Sequence, residues 1–124
     1  MHVADIRQIN SHFARWRLGS LAKFIEVQPL EKVELTEIYD VIFLVTVMEH
    51  LPDPLTTVTN LLDALWPGGT FIFDYVLSDG DGQDTAESIR DRDSVLKLIE
   101  SRTSLLKGSI SYEKSMDLTV VKLR

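Results

Sequence analysis

Residues Tyr39 to Tyr75, YDVIFLVTVMEHLPDPLTTVTNLLDALWPGGTFIFDY, constrain the fold more than any other part of this 124-residue chain. Asp40 leads an uninterrupted apolar run, Val41-Ile42-Phe43-Leu44-Val45. A run of that length suits a strand buried on both faces, as in a parallel sheet. Asp53-Pro54 then opens a helix, with Asp53 as N-cap and Pro54 at the first helical position, where its missing N–H costs nothing. Leu55, Val58, Leu61, Leu62 and Leu65 recur at helical spacing and predict one apolar face. Pro67-Gly68-Gly69 stops that helix, and Phe71-Ile72-Phe73 begins a second buried strand. Strand, crossover helix, strand is a right-handed βαβ unit. Open α/β sheets bind ligands outside the carboxyl ends of their strands. The loop from Thr46 to Pro52 is therefore the first place to look for function.

The flanking segments extend the pattern. Ile6, Ile9, Phe13 and Trp16 fall at helical spacing and are expected to pack on the sheet. Arg15 and Arg17 sit in the last turn, where they complement the helix dipole, and Gly19 is a fair stop. Lys23 to Val27 reads as a short strand, and Pro29 to Ile38 as a polar connection. Leu77 to Asp84 is rich in Gly, Asp and Ser and reads as a loop. Asp84 and Glu87 are spaced to open a short helical segment in the manner of a capping box. A further helix is expected around Asp93 to Ser101, using Val95, Leu98 and Ile99. Leu105 to Tyr112 and Leu118 to Leu123 alternate as an antiparallel hairpin would.

Composition excludes several functions. The net charge of -6 argues against non-specific nucleic-acid binding, which needs a basic surface. It leaves a small cationic ligand open. The absence of cysteine rules out disulfides, thiolate nucleophiles and cysteine metal sites, and suits a cytoplasmic protein. The apolar runs are too short to span a bilayer, so no membrane partner is expected, and the N-terminus shows no secretory pattern. His2, His12 and His50 have no metal-ligand spacing, so the expected metal is none. Asp79, Asp81 and Asp84 lack the spacing of a calcium loop and read as a solvated acidic turn. There is no Gly-x-Ser-x-Gly elbow and no P-loop or kinase signature.

The central stretch carries a family resemblance. YDVI, then MEHLPDP, then LWPGG followed by FIFDY, resembles the second half of a class I S-adenosylmethionine-dependent methyltransferase domain. That family commonly shows an Asp-led hydrophobic strand, a Glu-His-x-x-Asp-Pro loop, and a Pro-Gly-Gly turn into the next strand. His2-Val3-Ala4-Asp5-Ile6 is similar to the family's second strand, which ends in an acidic residue. The resemblance implies an α/β, Rossmann-like sheet with helices on both faces and a C-terminal antiparallel hairpin, in a single domain over residues 1–124. The family's first strand and glycine-rich loop would lie before Met1, and no GxGxG-like segment occurs in the sequence. On this reading the first strand is missing and the domain is incomplete at its N-terminus. The strand ending at Asp5 and the strand Val41 to Val45 would then face a gap with unpaired edges. The strands would close up directly, a second copy would fill the gap as a homodimer, or the chain would aggregate. Dimerisation is preferred because Val41 to Val45 is so apolar.

The resemblance also implies site residues. A carboxylate at Asp5 can accept from both hydroxyls of a ribose, or simply cap the following helix. Ile6 would pack against adenine, or be core. Gln28 stands where the family often has an Asp that accepts from the adenine amino group; it can accept through its carbonyl oxygen, or be a solvated loop residue. Thr46 and Val47 would face the methionine part of the cofactor, while Met48 plugs the helix–sheet junction. His50 could serve as general base to a nucleophile, or help fix the turn with Glu49. Asp74 and Tyr75 would point toward the acceptor pocket. The implied reaction is methyl transfer from S-adenosylmethionine to a small-molecule acceptor. Two other readings stand beside it. One is a non-catalytic, degenerate methyltransferase-like module acting in protein–protein interaction, which the absent glycine loop favours. The other is a nicotinamide enzyme, which needs its own glycine fingerprint, also absent.

Overall fold

The computed structural model describes residues 1–6, 9–27, 35, 37–78 and 82–124, with only the backbone of residues 5, 6, 9 and 27. The chain divides into two compact units, Met1–Val33 and Glu34–Arg124.

In the first unit, β1 (His2–Ile6) and β2 (Lys23–Val27) pair in parallel, from His2 opposite Lys23 to Ile6 opposite Val27. Helix α1 (Ile9–Leu18) connects them and ends in a 3₁₀ turn at Gly19–Leu21. Gly19 takes φ +48°, the left-handed conformation in which glycine carries no Cβ penalty. The expected burial of the helix's aromatic residues is not found. Phe13 and Trp16 are 55% and 78% exposed, with ring centroids 5.7 Å apart. Arg15 lies on the strand instead, its guanidinium 4.9 Å from the Phe24 ring centroid and 3.9 Å from Glu26. A two-stranded ribbon offers too little apolar surface to bury a helix face.

The second unit is a four-stranded sheet in the order β3-β4-β6-β5. Its strands are β3 (Tyr39–Leu44), β4 (Leu65–Phe73), β5 (Thr103–Lys107) and β6 (Thr119–Leu123). β3 and β4 are parallel and joined through α2 (Pro54–Asp63), as the βαβ reading expects. β6 runs antiparallel to both β4 and β5. The hairpin is thus present, but its first strand runs from Thr103 to Lys107 and not from Leu105 to Tyr112.

Asp53 caps α2 as expected, its Oδ1 accepting from the Thr56 N–H at 3.0 Å. The helix ends at Asp63, so Leu65 belongs to β4 and not to the helix. The Pro-Gly-Gly turn lies inside β4's pairing. Tyr39 stands opposite Leu65, but Val41 stands opposite Thr70, so the intervening residues bulge out. A Cβ on Gly69 would come within 2.8 Å of the Trp66 carbonyl oxygen and 3.1 Å of that of Asp40; only glycine fits there. After the turn, α3 (Ala86–Arg102) is one continuous helix and not two short ones. Its N-cap is Thr85, whose Oγ1 accepts from the Ser88 N–H at 3.0 Å. Asp84 turns back to Ser78 instead.

The core of this unit is Val58 and Leu62 from α2, Val95, Leu96 and Ile99 from α3, Phe71 and Phe73 from β4, and Val121 from β6. The two phenyl rings stack at 4.9 Å. β3 joins this core through one face only, with Ile42 and Leu44 against it. Val41 and Phe43 are 45% and 68% exposed, and Val45 is exposed as well. The apolar run is therefore not buried on both faces. It is an edge strand of this sheet, and alternate side chains leave the core side. No helix among the described residues is long and apolar enough to cross a membrane.

Candidate functional site

The parallel strands β3 and β4 end side by side, and a hydrogen bond ties their carboxyl ends together. Asp74 follows β4 directly, and its Oδ1 accepts from the Thr46 N–H at 2.7 Å. Thr46 sits at φ +56°, the only non-glycine with positive φ among the described residues. A β-branched residue there is strained, and such strain persists only where its surroundings hold it. Asp74 supplies that hold. After Thr46 the chain passes into a 3₁₀ turn, Met48–His50.

That turn is fastened to the start of α3. The Glu49 carbonyl accepts from the Thr85 N–H at 2.9 Å and from Ser88 Oγ at 2.7 Å. Thr85 Oγ1 donates to the Leu51 carbonyl at 2.6 Å. Met48 is fully buried, as the junction plug expected of it. The Glu49 side chain is only 7% exposed, whereas that of His50 is 43% exposed. His50 Nδ1 lies 3.0 Å from the Gln83 carbonyl oxygen. A carbonyl only accepts, so Nδ1 carries the hydrogen and the lone pair of a neutral ring is on Nε2. Nε2 faces Glu49 Oε1 at 3.7 Å, too far for a hydrogen bond. Glu49 Oε2 is buried with no hydrogen-bond partner, and so is Asp84 Oδ1.

Behind this loop, Tyr75 is fully buried and donates its hydroxyl to the Ser88 carbonyl at 2.7 Å. Burial pushes its phenol far above the ordinary value, with Arg92 opposing, so the group stays a donor. Arg92, also buried, donates to the Tyr75 carbonyl from Nε at 3.3 Å and Nη2 at 3.0 Å, and to the Ser111 carbonyl at 2.9 Å. Burial pulls its guanidinium below the ordinary value, though arginine remains charged in proteins. Tyr75 therefore does not point toward an acceptor pocket; it locks the loop after β4 to α3. Asp74 has turned to Thr46.

Of the expected site residues, Thr46, Val47 and His50 lie together on this one loop of the second unit. Asp5 and Ile6 are on β1 in the first unit, but their side chains lie outside the described residues, as does Gln28 altogether. Among the described residues no group of three or more His, Asp or Glu is arranged to hold a metal ion. Sequence reasoning left the Thr46–Asp74 tie and the Thr85–Ser88 fastening unread. An acid directly after a buried strand is the one signal that pointed to the first.

The sequence matches a family model described as a methyltransferase domain over residues 3–107. The chain belongs to that methyltransferase family. No curated protein matches it in sequence. Its fold is similar to that of the N-methyltransferase NodS from Bradyrhizobium japonicum WM9, solved with S-adenosyl-L-homocysteine. The TM-score is 0.69 at 17% identity, over 98% of this chain and 65% of that one. It is also similar to a Burkholderia thailandensis 1,6-didemethyltoxoflavin-N1-methyltransferase, solved with that substrate and S-adenosylhomocysteine. There the TM-score is 0.63 at 14% identity, over 98% and 60% of the two chains. The [4+2]-cyclase SpnF matches with a TM-score of 0.58 at 16% identity, over 87% and 44%. At these identities the likeness shows the fold, a Rossmann-like methyltransferase fold, and the methyltransferase domain here spans about two thirds of NodS.

Proposed function

We propose that this chain takes part in methyl transfer from S-adenosylmethionine to a small-molecule acceptor. The observation that carries the reading is the strained Thr46, held by Asp74 where β3 and β4 end. Strain kept at the ligand-binding end of an α/β sheet is a mark of function. The loop is proposed to meet the sulfonium end of the cofactor. Thr46 and Val47 would meet it through loop backbone, with the Glu49 carboxylate further along the same loop. Asp5, Ile6 and Gln28 are proposed for its ribose and adenine. When bound, the cofactor supplies an electrophilic methyl group. The protein's part is mainly to hold an acceptor in line with it, where most of the rate gain arises. His50 is proposed as general base. Its Nδ1–H is fixed on Gln83, its Nε2 lone pair is available, and Glu49 Oε1 stands beside the proton Nε2 would take up.

A second reading, a non-catalytic module that binds a partner protein, draws on the exposed apolar face of β3. The test that separates them is His50→Ala in a form that turns over. Turnover should fall at least tenfold, and more than cofactor affinity does, because His50 acts on the acceptor. Unchanged turnover at saturating substrate would make His50 structural and leave catalysis to positioning. No methyl transfer to any small molecule, with a protein bound at β3, would favour the second reading.

A further inference from the structure

With a neutral His50 ring, the Glu49–His50 pair presents two acceptors and, among the described residues, no donor between them. With Nδ1 donating to Gln83, a neutral His50 ring carries its lone pair on Nε2. Glu49 Oε1 is 3.7 Å away, and Oε2 on the same carboxylate is buried without a partner. Nε2 and Oε1 face each other at ion-pair distance, without a hydrogen bond between them. Burying Oε2 without a partner leaves the carboxylate's charge poorly compensated, so a cation met at Oε1 gains by it. The donors at the start of α3 that meet this turn are already used. The Ser88 hydroxyl and the Thr85 N–H both donate to the backbone carbonyl of Glu49, and the Thr85 hydroxyl donates to Leu51.

We propose that the acceptor substrate is an amine, and that it enters this pair as the ammonium ion. The proposal rests on the methyl-transfer reading and names its substrate class. Two atoms 3.7 Å apart can both lie within about 3 Å of one nitrogen placed between them. An ammonium brings at least two N–H donors and a charge opposite to that of Glu49. A hydroxyl brings one hydrogen, satisfies one acceptor, and turns its own oxygen lone pairs on the other. The pair thus matches an ammonium better than an alcohol.

The chemistry then balances. The ammonium gives one proton to His50 Nε2, which frees the nitrogen lone pair. That lone pair forms the new N–CH3 bond as the C–S bond of the sulfonium donor breaks. The bonding electrons leave with sulfur as a neutral thioether, and the product is the methylated ammonium. No other reactant is needed.

The test uses the chain as it is. Imidazole carbon–proton NMR signals follow His50, assigned through His50→Gln, during titration with benzylamine and with its isostere benzyl alcohol near neutral pH. Benzylamine should shift the His50 signal saturably and at least tenfold more tightly than benzyl alcohol. Glu49→Gln should abolish that preference. Its backbone contacts to Thr85 and Ser88 do not use the side chain, and an unchanged unfolding midpoint would verify the fold. Equal responses to the two probes would overturn the proposal. So would no response to the amine, as when His50 simply takes a proton and pairs with Glu49, or a preference that survives Glu49→Gln. Methyl transfer to alcohols alone would overturn the amine and leave the methyltransferase reading. Tight, Glu49-dependent amine binding with no methyl transfer would do the reverse.

Discussion

β3 and β4 are neighbouring parallel strands of similar apolar composition, yet they meet opposite fates. Phe71 and Phe73 of β4 are wholly buried, whereas Phe43 of β3 is 68% exposed. β4 lies between β3 and β6, so both its edges are paired and its phenyl rings stack under α2 and α3. Among the described residues β3 has one partner strand, and of its side chains Ile42 and Leu44 reach the core. An apolar run therefore fixes that a segment is a strand, but its neighbours fix how much of it is buried. The contrast extends to the strand ends, where β3 turns into strained Thr46 and β4 supplies Asp74 to hold it.

The sharpest way to break this comparison is to truncate equivalent rings. Phe73→Ala should cost about 3–5 kcal/mol, since it leaves a cavity in the core. Phe43→Ala should cost less than about 1 kcal/mol, since little is packed against that ring. Denaturant midpoints of the two variants measure the difference. Equal losses would mean that something covers β3 in solution.

Self-association is the next largest effect expected. An exposed apolar edge strand recruits other chains, so sedimentation equilibrium should show a dimer, and Phe43→Lys should weaken it at least tenfold, about 1.4 kcal/mol. A monomer at high concentration with cooperative unfolding would contradict this and favour strands that close up on themselves.

The smallest effect concerns the strained end. Thr46→Gly relieves the positive φ but adds unfolded-chain entropy, so it should stabilise by less than about 1 kcal/mol. A loss of stability would show that the Thr46 side chain contributes more than its backbone strain costs.

Much of this was legible in the sequence, and for stated reasons. The β2 boundaries, the Asp53 cap and the parallel βαβ pairing follow from local signals: alternation, capping chemistry and apolar runs. Long-range choices were not. Thr85, not Asp84, caps α3 because the Glu49 and Leu51 carbonyls receive its donors, and those lie 34 to 36 residues earlier in the chain. Tyr75 reads as a site residue but is drawn inward by the Ser88 carbonyl and Arg92. Phe13 and Trp16 have the spacing of a packed face, and no periodicity reports that the described residues of their unit form a two-stranded sheet. The position of the loop Thr46 to Pro52 after β3 was legible as well, because it follows from the βαβ order alone.

The central claim is that the carboxyl ends of β3 and β4 receive the sulfonium end of S-adenosylmethionine. Amide NMR of this chain titrated with S-adenosylhomocysteine tests it most directly. The account predicts weak binding, poorer than micromolar because the sequence holds no glycine-rich loop, with shifts concentrated at Thr46, Val47, His50 and Asp74. Shifts confined to β5 and β6, or none at millimolar ligand, would contradict it.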